Sequence, residues 1–283
     1  MNLSGEGIDE HGAFYLSESL KKNSTLETLN LFYNKIGPAG TVPLLQALQI
    51  NSTLKTLYLS RNELGTQGAQ AISLFLPSNT TLTSLDISDN QIGDVGAKLV
   101  FESLKFNSTL SVLEIRDNDI GSSGAESILS LQFNSAVNLL DISSNQLGSA
   151  GSSFISQLVQ SNSTLTSLRL DENNLGPDGV KAISLALQNN STLISLHLSN
   201  NELGGLGLES IIKSLRYNTT LRLLFAGKNG IDDSHIKIIS PSLINNFVTT
   251  HIYLDAGNNI SPRYSKLLRQ IISENQIVTQ IEK

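Results

Sequence analysis

The phrase NSTLISLHLSNNEL at 190–203 recurs as NSTLETLNLFYNKI from 23, NSTLKTLYLSRNEL from 51, NTTLTSLDISDNQI from 79 and NSTLTSLRLDENNL from 162. Its opening Asn keeps a grid: Asn23, Asn51, Asn79, Asn107, Asn134, Asn162, Asn190 and Asn218 stand 28 residues apart, except for one interval of 27 between Asn107 and Asn134. All but Asn134 open an Asn-Ser/Thr-Thr triplet, the formal acceptor of an N-linked glycan. A glycosylation signal has no cause to keep a fixed spacing, whereas a stacked structural unit does. The chain is therefore read as copies of one supersecondary unit.

Aligned on that Asn, each copy carries an aliphatic residue three, six and eight places on, Asn eleven on and Leu or Ile thirteen on. The pattern L-x-x-L-x-L-x-x-N-x-L/I is the strand signature of a leucine-rich repeat. The inner asparagines, Asn34, Asn62, Asn90, Asn118, Asn145, Asn173, Asn201 and Asn229, are expected to point inward and bond turn backbone that strand pairing leaves free. Gly-x-x-Gly follows, as in Gly65/Gly68 or Gly204/Gly207, with Pro38, Thr66, Asp94, Ser122, Ser149, Pro177 and Gly205 between the glycines, residues suited to opening a helix. Apolar residues then come one, four and eight places after the second Gly, for example Ala69, Ile72 and Leu76, which is one helix face. Each unit reads strand, turn, helix. The opening Asn is expected to close the preceding helix in a left-handed conformation.

The 28-residue unit with a full helix, the NxxGxxG turn and the repeated LxLxxNxL resemble the ribonuclease-inhibitor-like class of leucine-rich repeats, found also in the sensor arms of NOD-like receptors and in Ran-type GTPase activators. The resemblance implies an α/β leucine-rich-repeat solenoid, a horseshoe of about nine 28-residue repeats with a parallel β-sheet on the concave face and α-helices on the convex face. It extends over 1–283 as one solenoid, with a partial N-terminal repeat at 1–22, regular repeats at 23–245 and a degenerate repeat and cap at 246–283. In the first stretch Leu3, Ile8 and Gly12 take the places of Leu31, Ile36 and Gly40, and Glu6 replaces the inner Asn. Near the other end HIYLDAGNNI is a worn strand with Asn258 one place late, and NQIVTQI after Asn275 reads as the start of another strand. The chain lacks the cysteines and the alternating 28 and 29 lengths of ribonuclease inhibitor, which argues against ribonuclease inhibition.

One 28-residue unit cannot offset the conformational entropy of ordering itself, so the units must stack into a one-dimensional array. The composition suits thin layers rather than one large core, because only 5% of residues are aromatic and there is no Trp. Gly124 to Asn134 is one residue shorter than Gly96 to Asn107, so that helix is expected to be tighter or shorter while the strand phase survives.

A formal charge of -6 without a basic run disfavours nucleic acid as a partner. The polar start MNLSGEGIDEHG is unlike a signal peptide, and no apolar run reaches a membrane span, so a cytoplasmic location is expected, in the producing cell or in a host cell if the chain is a secreted effector. Zero cysteines exclude disulfides, thiolate metal sites and thiol nucleophiles. The histidines, His11, His197, His235 and His251, show no paired helical ligand spacing, and no cofactor or metal is expected.

The strand surface remains, where side chains alternate with the buried leucines. Between the last two Leu positions stand Asn30, Tyr58, Asp86, Glu114, Asp141, Arg169, His197, Phe225 and Tyr253, and two places on Phe32, Ser60, Ser88, Arg116, Ser143, Asp171, Ser199, Gly227 and Asp255. Asp86, Glu114 and Asp141 form a like-charged row with Asp89, Asp117 and Asp119 beside it, and aromatics gather at the ends as Phe32, Tyr33, Tyr58, Phe225 and Tyr253. The expected partner-binding set is Phe32, Tyr33, Tyr58, Asp86, Asp89, Glu114, Arg116, Asp117, Asp141, Arg169, Asp171, His197, Phe225 and Tyr253. Carboxylates on neighbouring strands repel, so their presence points to a protein partner with a basic surface. The expected function is a non-enzymatic protein–protein interaction scaffold that binds this partner on its concave face. The alternative is a GTPase-activator-like, regulatory or sensor segment of a larger protein, of NOD-like-receptor or bacterial-effector type. For an activator, the resemblance implies catalytic help from a rim residue such as Arg61 or Arg116.

Overall fold

The computed structural model describes residues 1–281 apart from 245, 247, 250 and 255, and for 276–281 the backbone alone. The chain divides into two compact units, Met1–Asn145 and Gln146–Lys283. The first holds α1 (Glu10–Leu20), β1 (Thr28–Asn30), α2 (Gly37–Ile50), β2 (Thr56–Tyr58), α3 (Gly65–Phe75), β3 (Ser84–Asp86), α4 (Gly93–Ser103), β4 (Val112–Glu114), α5 (Ser122–Ala125) and β5 (Leu139–Asp141). The second holds α6 (Gly148–Ser161), β6 (Ser167–Arg169), α7 (Gly176–Leu187), β7 (Ser195–His197), α8 (Gly204–Ser214), β8 (Leu223–Phe225), α9 (Asp233–Leu243), β9 (His251–Tyr253) and α10 (Pro262–Ile281). Among the described residues no helix is long and apolar enough to cross a membrane.

Within each unit the strands pair in parallel with unshifted register, Leu29 opposite Leu57, Leu85, Leu113 and Leu140 in the first, and Leu168 opposite Leu196, Leu224 and Ile252 in the second. Equal spacing in sequence thus becomes a vertical stack of leucines. The following aliphatics, such as Leu59, Ile87 and Leu198, and the inner helix faces, such as Ala69 and Ile72, close the core.

Two asparagine ladders tie the layers together. In the first unit the inner ladder uses both polar atoms of its amides. Asn62 donates Nδ2 to the carbonyls of Leu31 at 2.8 Å and Leu59 at 3.0 Å, while Asn90 accepts at Oδ1 the N–H groups of Asn62 at 2.9 Å and Leu64 at 3.3 Å. The same geometry repeats in the second unit between Asn173, Asn201 and Asn229. Three-residue strands leave these turn groups without sheet partners, and the amide supplies them.

The second ladder is the opening Asn. Asn51 sits in extended backbone at φ -69°, and Asn79 and Asn107 do likewise, so the expected left-handed closure is replaced. The side chain turns inward instead. Asn51 accepts the N–H groups of Thr53 and Leu54 at Oδ1 and donates Nδ2 to Leu20 and Asn23 of the preceding repeat. Nδ2 is the atom a glycan would occupy, and at Asn51, Asn79, Asn107, Asn190 and Asn218 it is buried and hydrogen-bonded to the layer before. The ladder continues past the regular repeats through Asn246 and Asn275, whose Nδ2 atoms reach the carbonyls of Leu215 at 2.7 Å and Leu243 at 2.6 Å.

The 27-residue unit behaves as its count requires. Its α-helix stops after the four residues of α5 and continues as a 3-10 helix over Glu126–Phe133, while β4 and β5 keep register, Glu114 opposite Asp141. A 3-10 helix rises about 2.0 Å per residue against 1.5 Å for an α-helix, so the shorter segment spans about 22 Å, as does α4 with its own 3-10 end. The entrance changes too. Elsewhere the first Gly turns through positive φ and donates its N–H to the next inner Asn carbonyl, as Gly93 does to Asn118, but Gly121 has φ -92° and donates to Asp94 Oδ1 at 2.7 Å. Asp94→Ala should therefore cost about 1 kcal/mol by leaving that N–H without its acceptor, and Asp94→Asn should cost less. Denaturant midpoints of the two variants check this.

The ends are capped by side chains. Asp9 accepts the N–H groups of His11 and Gly12 at the start of α1, and Asp232 and His235 form a reciprocal box at the start of α9. The Gly12 N–H holds the Asp9 carboxyl below its ordinary value, and the Ser234 hydroxyl does the same for Asp232. Both caps are thus fully charged above the ordinary carboxylate range and are lost only as pH falls through the lowered values. The expected strand at NQIVTQI is absent, since α10 carries helical backbone through Ile281. Its polar and aliphatic residues suit either element.

Candidate functional site

On the strand surface of the first unit, Asn30, Tyr58, Asp86, Glu114 and Asp141 stand in register on successive strands. The third strand position has a local task that the sequence reading missed. Asn30 accepts the Phe32 N–H at 2.9 Å, Asp86 that of Ser88 at 2.9 Å and Asp141 that of Ser143 at 3.0 Å, each closing the turn two residues ahead. An Asp or Asn there is a backbone cap before it is a surface charge. Asp141 is only 2% exposed, so it is not the solvent-facing member of an acidic row that the alternation suggested, because its carboxylate folds back onto its own strand end. Asp86 remains half-buried and also accepts the Ser60 hydroxyl at 2.8 Å, while Glu114 is half-buried and Asp117 exposed.

Tyr33, Arg61, Asp89 and Asp117 share the next turn position, all with φ between 52° and 56°. This left-handed corner throws their side chains across the turn surface. Arg61 ion-pairs with Asp89, and its guanidinium lies 5.9 Å from the Phe32 ring centroid. Phe32, Tyr58, Asp86, Asp89, Glu114, Arg116 and Asp117 converge on one depression of about 440 Å³, with carboxylates opposite an aromatic wall. Tyr33 faces a neighbouring hollow with Gly5, Lys35 and Glu63. Arg61, engaged by Asp89, is poorly placed to reach into another protein's active site, and Arg116 is exposed beside the depression.

In the second unit Arg169, His197, Phe225 and Tyr253 stand in register. Three of them stack: His197 on Phe225 at 4.1 Å and 14°, Phe225 on Tyr253 at 4.4 Å and 9°. The strand spacing sets this separation. Asp171 holds the Ser199 N–H at 2.7 Å and lies 3.9 Å from His197 Nδ1, and the other ring nitrogen is 3.1 Å from Ser195 Oγ. Asp255 lies outside the described residues. His11 sits with Asp9 and Glu10 in an exposed cluster at the start of α1, where Asp9 is already the helix cap.

The sequence matches the family description "Leucine Rich repeat" over residues 22–45, 51–73, 78–101, 106–129, 161–184 and 189–211, together half of the chain. No curated protein matches. Among solved structures, the yeast Rad7 and Elc1 complex contains a similar chain, with TM-score 0.56 and 19% identity over 90% of this chain and 69% of that one. A tropomodulin C-terminal domain from Caenorhabditis elegans aligns at TM-score 0.45 and 13% identity, covering 54% of this chain and 92% of that one. Leiomodin-1 actin-binding site 2 aligns at TM-score 0.40 and 19% identity, covering 46% and 75%. The six matched segments coincide with the strand–turn–helix units built above, and the chain belongs to the leucine-rich-repeat family.

Proposed function

We propose that the chain is a protein-binding scaffold whose first unit receives a basic surface of its partner in the depression between Phe32, Tyr58 and the carboxylates. The observation that carries this reading is the convergence there of Asp86, Asp89, Glu114 and Asp117 against two arginines, one of them already paired. Leucine-rich repeats typically act as non-enzymatic interaction surfaces, and repeat solenoids present long, rigid faces suited to that task. Asp141 contributes by holding the turn, and the aromatics supply apolar area at the margin.

The test begins with capture of the partner on the purified chain and its identification by mass spectrometry. The partner is then titrated at two ionic strengths against the parent and an Asp86→Asn, Glu114→Gln, Asp117→Asn variant. Asn at position 86 keeps the acceptor for the Ser88 N–H, so folding is preserved. Affinity should fall by about tenfold in the variant and its salt dependence should flatten. Four equal affinities would reduce the carboxylates to a solubilising surface and remove the site from this face.

A further inference from the structure

Two arginines line the depression of the first unit, and they differ in what holds them. Arg61 lies within it, with its Nε–H donated to Asp89 Oδ2 and its guanidinium 5.9 Å from the Phe32 ring centroid. Arg116 belongs to the same lining, but among the described residues its guanidinium has no ion-pair partner. The depression thus already seats one guanidinium between a carboxylate and an aromatic face. Those two groups together favour a planar guanidinium over a compact ammonium.

Arg61 is loosely held there. Of its guanidinium donors only Nε–H has an acceptor among the described residues, so the two-pronged end of the fork is unused. Its side chain is 54% exposed, and the gain of such a pair is largely offset by screening and by the entropy of fixing a long side chain. Arg61 and Asp89 also border the adjoining hollow beside Tyr33, where Glu63 gives a displaced Arg61 a second carboxylate to turn towards. The backbone at this corner does not call for arginine. Arg61 has φ 56°, and the matching corner of the second unit carries Asn200 at φ 55°, a residue type better suited to the left-handed region.

We propose that Asp89 and Phe32 form an arginine-reading subsite and that Arg61 is its internal stand-in, displaced when an arginine of the partner takes the seat. This rests on the reading of the depression as the partner's binding surface and names the side chain it selects. Two cations crowded against one carboxylate repel, so Arg61 competes with any cation that enters. A guanidinium arriving end-on binds both oxygens of Asp89 and lies flat against Phe32, which offsets the displacement. Lysine brings a point charge with neither fork nor plane. Arg61 therefore sets a threshold that arginine passes and lysine does not.

The probe is the blocked peptide Gly-Ser-Arg-Ser-Gly, with lysine and citrulline counterparts, titrated into the intact chain and followed by the NMR signals of Arg61 Nε and the Asp89 amide. The arginine peptide should bind the parent about threefold more tightly than the lysine peptide, and the uncharged citrulline peptide should not bind. At saturation the Arg61 Nε signal should move to that of a solvated guanidinium. Arg61→Asn, which suits the corner, should tighten the arginine peptide about fivefold, because the seat is no longer partly occupied. Arg116→Gln removes the same charge without vacating a seat and should tighten it by less than about twofold. Asp89→Asn in the Arg61→Asn background should abolish the gain. An unchanged affinity in Arg61→Asn, an equal gain from Arg116→Gln, equal binding of the arginine and lysine peptides, an unmoved Arg61 signal, or no binding at millimolar peptide would each overturn the proposal. The peptide assay needs no partner, and the Asp86, Glu114 and Asp117 variant leaves Asp89 and Arg61 in place. A partner indifferent to that variant, with the fivefold gain intact, would sink the partner's surface but leave the arginine seat standing; the reverse pattern would keep the surface and overturn the role of Arg61.

Discussion

Asn118→Ala should lower the stability of the first unit by about 3 kcal/mol, read as a shift of the denaturant midpoint at constant slope. Asn118 is fully buried in the middle of the inner ladder. Its Nδ2 donates to the carbonyls of Ile87 and Arg116, both at 3.0 Å, and its Oδ1 accepts the N–H groups of Asn90 at 3.0 Å and Ile92 at 3.4 Å. The carbonyls survive the loss, because Ile87 O also accepts from Asn90 Nδ2 and Arg116 O also accepts from the Asp89 N–H. The two N–H groups do not survive it. Each is buried and left without an acceptor, at about 1–3 kcal/mol apiece. Asn34→Ala sets the scale, since Asn34 Oδ1 serves only the Ile8 N–H at the partly exposed first rung and should cost about half as much. A midpoint for Asn118→Ala equal to the parent's would show that the ladder is ornament rather than support.

The ladder was legible because its cause is periodic. Any group that must meet the same backbone atoms in every layer recurs at the repeat length, and the count of 27 in one unit carried the same logic to the 3-10 segment at Glu126–Phe133. What the sequence concealed has a different character. Asp141 was assigned to a solvent-facing row because alternation places it outward, yet a short carboxylate at a strand end has a competing acceptor task one turn ahead, and its register says nothing of which prevails. The opening Asn was assigned a left-handed backbone from its position after a helix, but the turn is made by extended backbone with the amide turned inward. Its buried neighbours are residues 28 and 31 positions earlier, contacts that only stacking creates. The stack of His197, Phe225 and Tyr253 follows from register and was visible as a column of planar residues.

Gly96→Val should destabilise the first unit by about 3 kcal/mol, and comparison with Gly93→Ala separates the two glycines of the turn motif by cause. At Gly93 the backbone has φ +63° and a Cβ would meet nothing within 4 Å. Alanine there costs only the left-handed conformation, about 1–2 kcal/mol. At Gly96 the helix is ordinary, but a Cβ would stand 2.8 Å from Ile92 Cβ and 2.9 Å from Ala69 Cβ on α3. Both neighbours are Cβ atoms fixed to backbone, so no rotamer relieves the overlap and α3 and α4 must separate. Overpacking of this kind costs about 1–3 kcal/mol, and a β-branched residue adds the loss of its χ1 freedom against the preceding turn. Gly96→Ala is the milder case, because alanine's helix preference of about 1 kcal/mol offsets part of the strain. The decisive measurement is the double variant: Ala69→Gly in the Gly96→Ala background removes the facing methyl and should recover stability relative to the sum of the single changes. Strict additivity would mean that the overlap with Ile92 sets the cost and that the helices are not held close by this pair. Strain confined to the pair would instead confirm that Gly96 lets α3 and α4 approach over the leucine column beneath them.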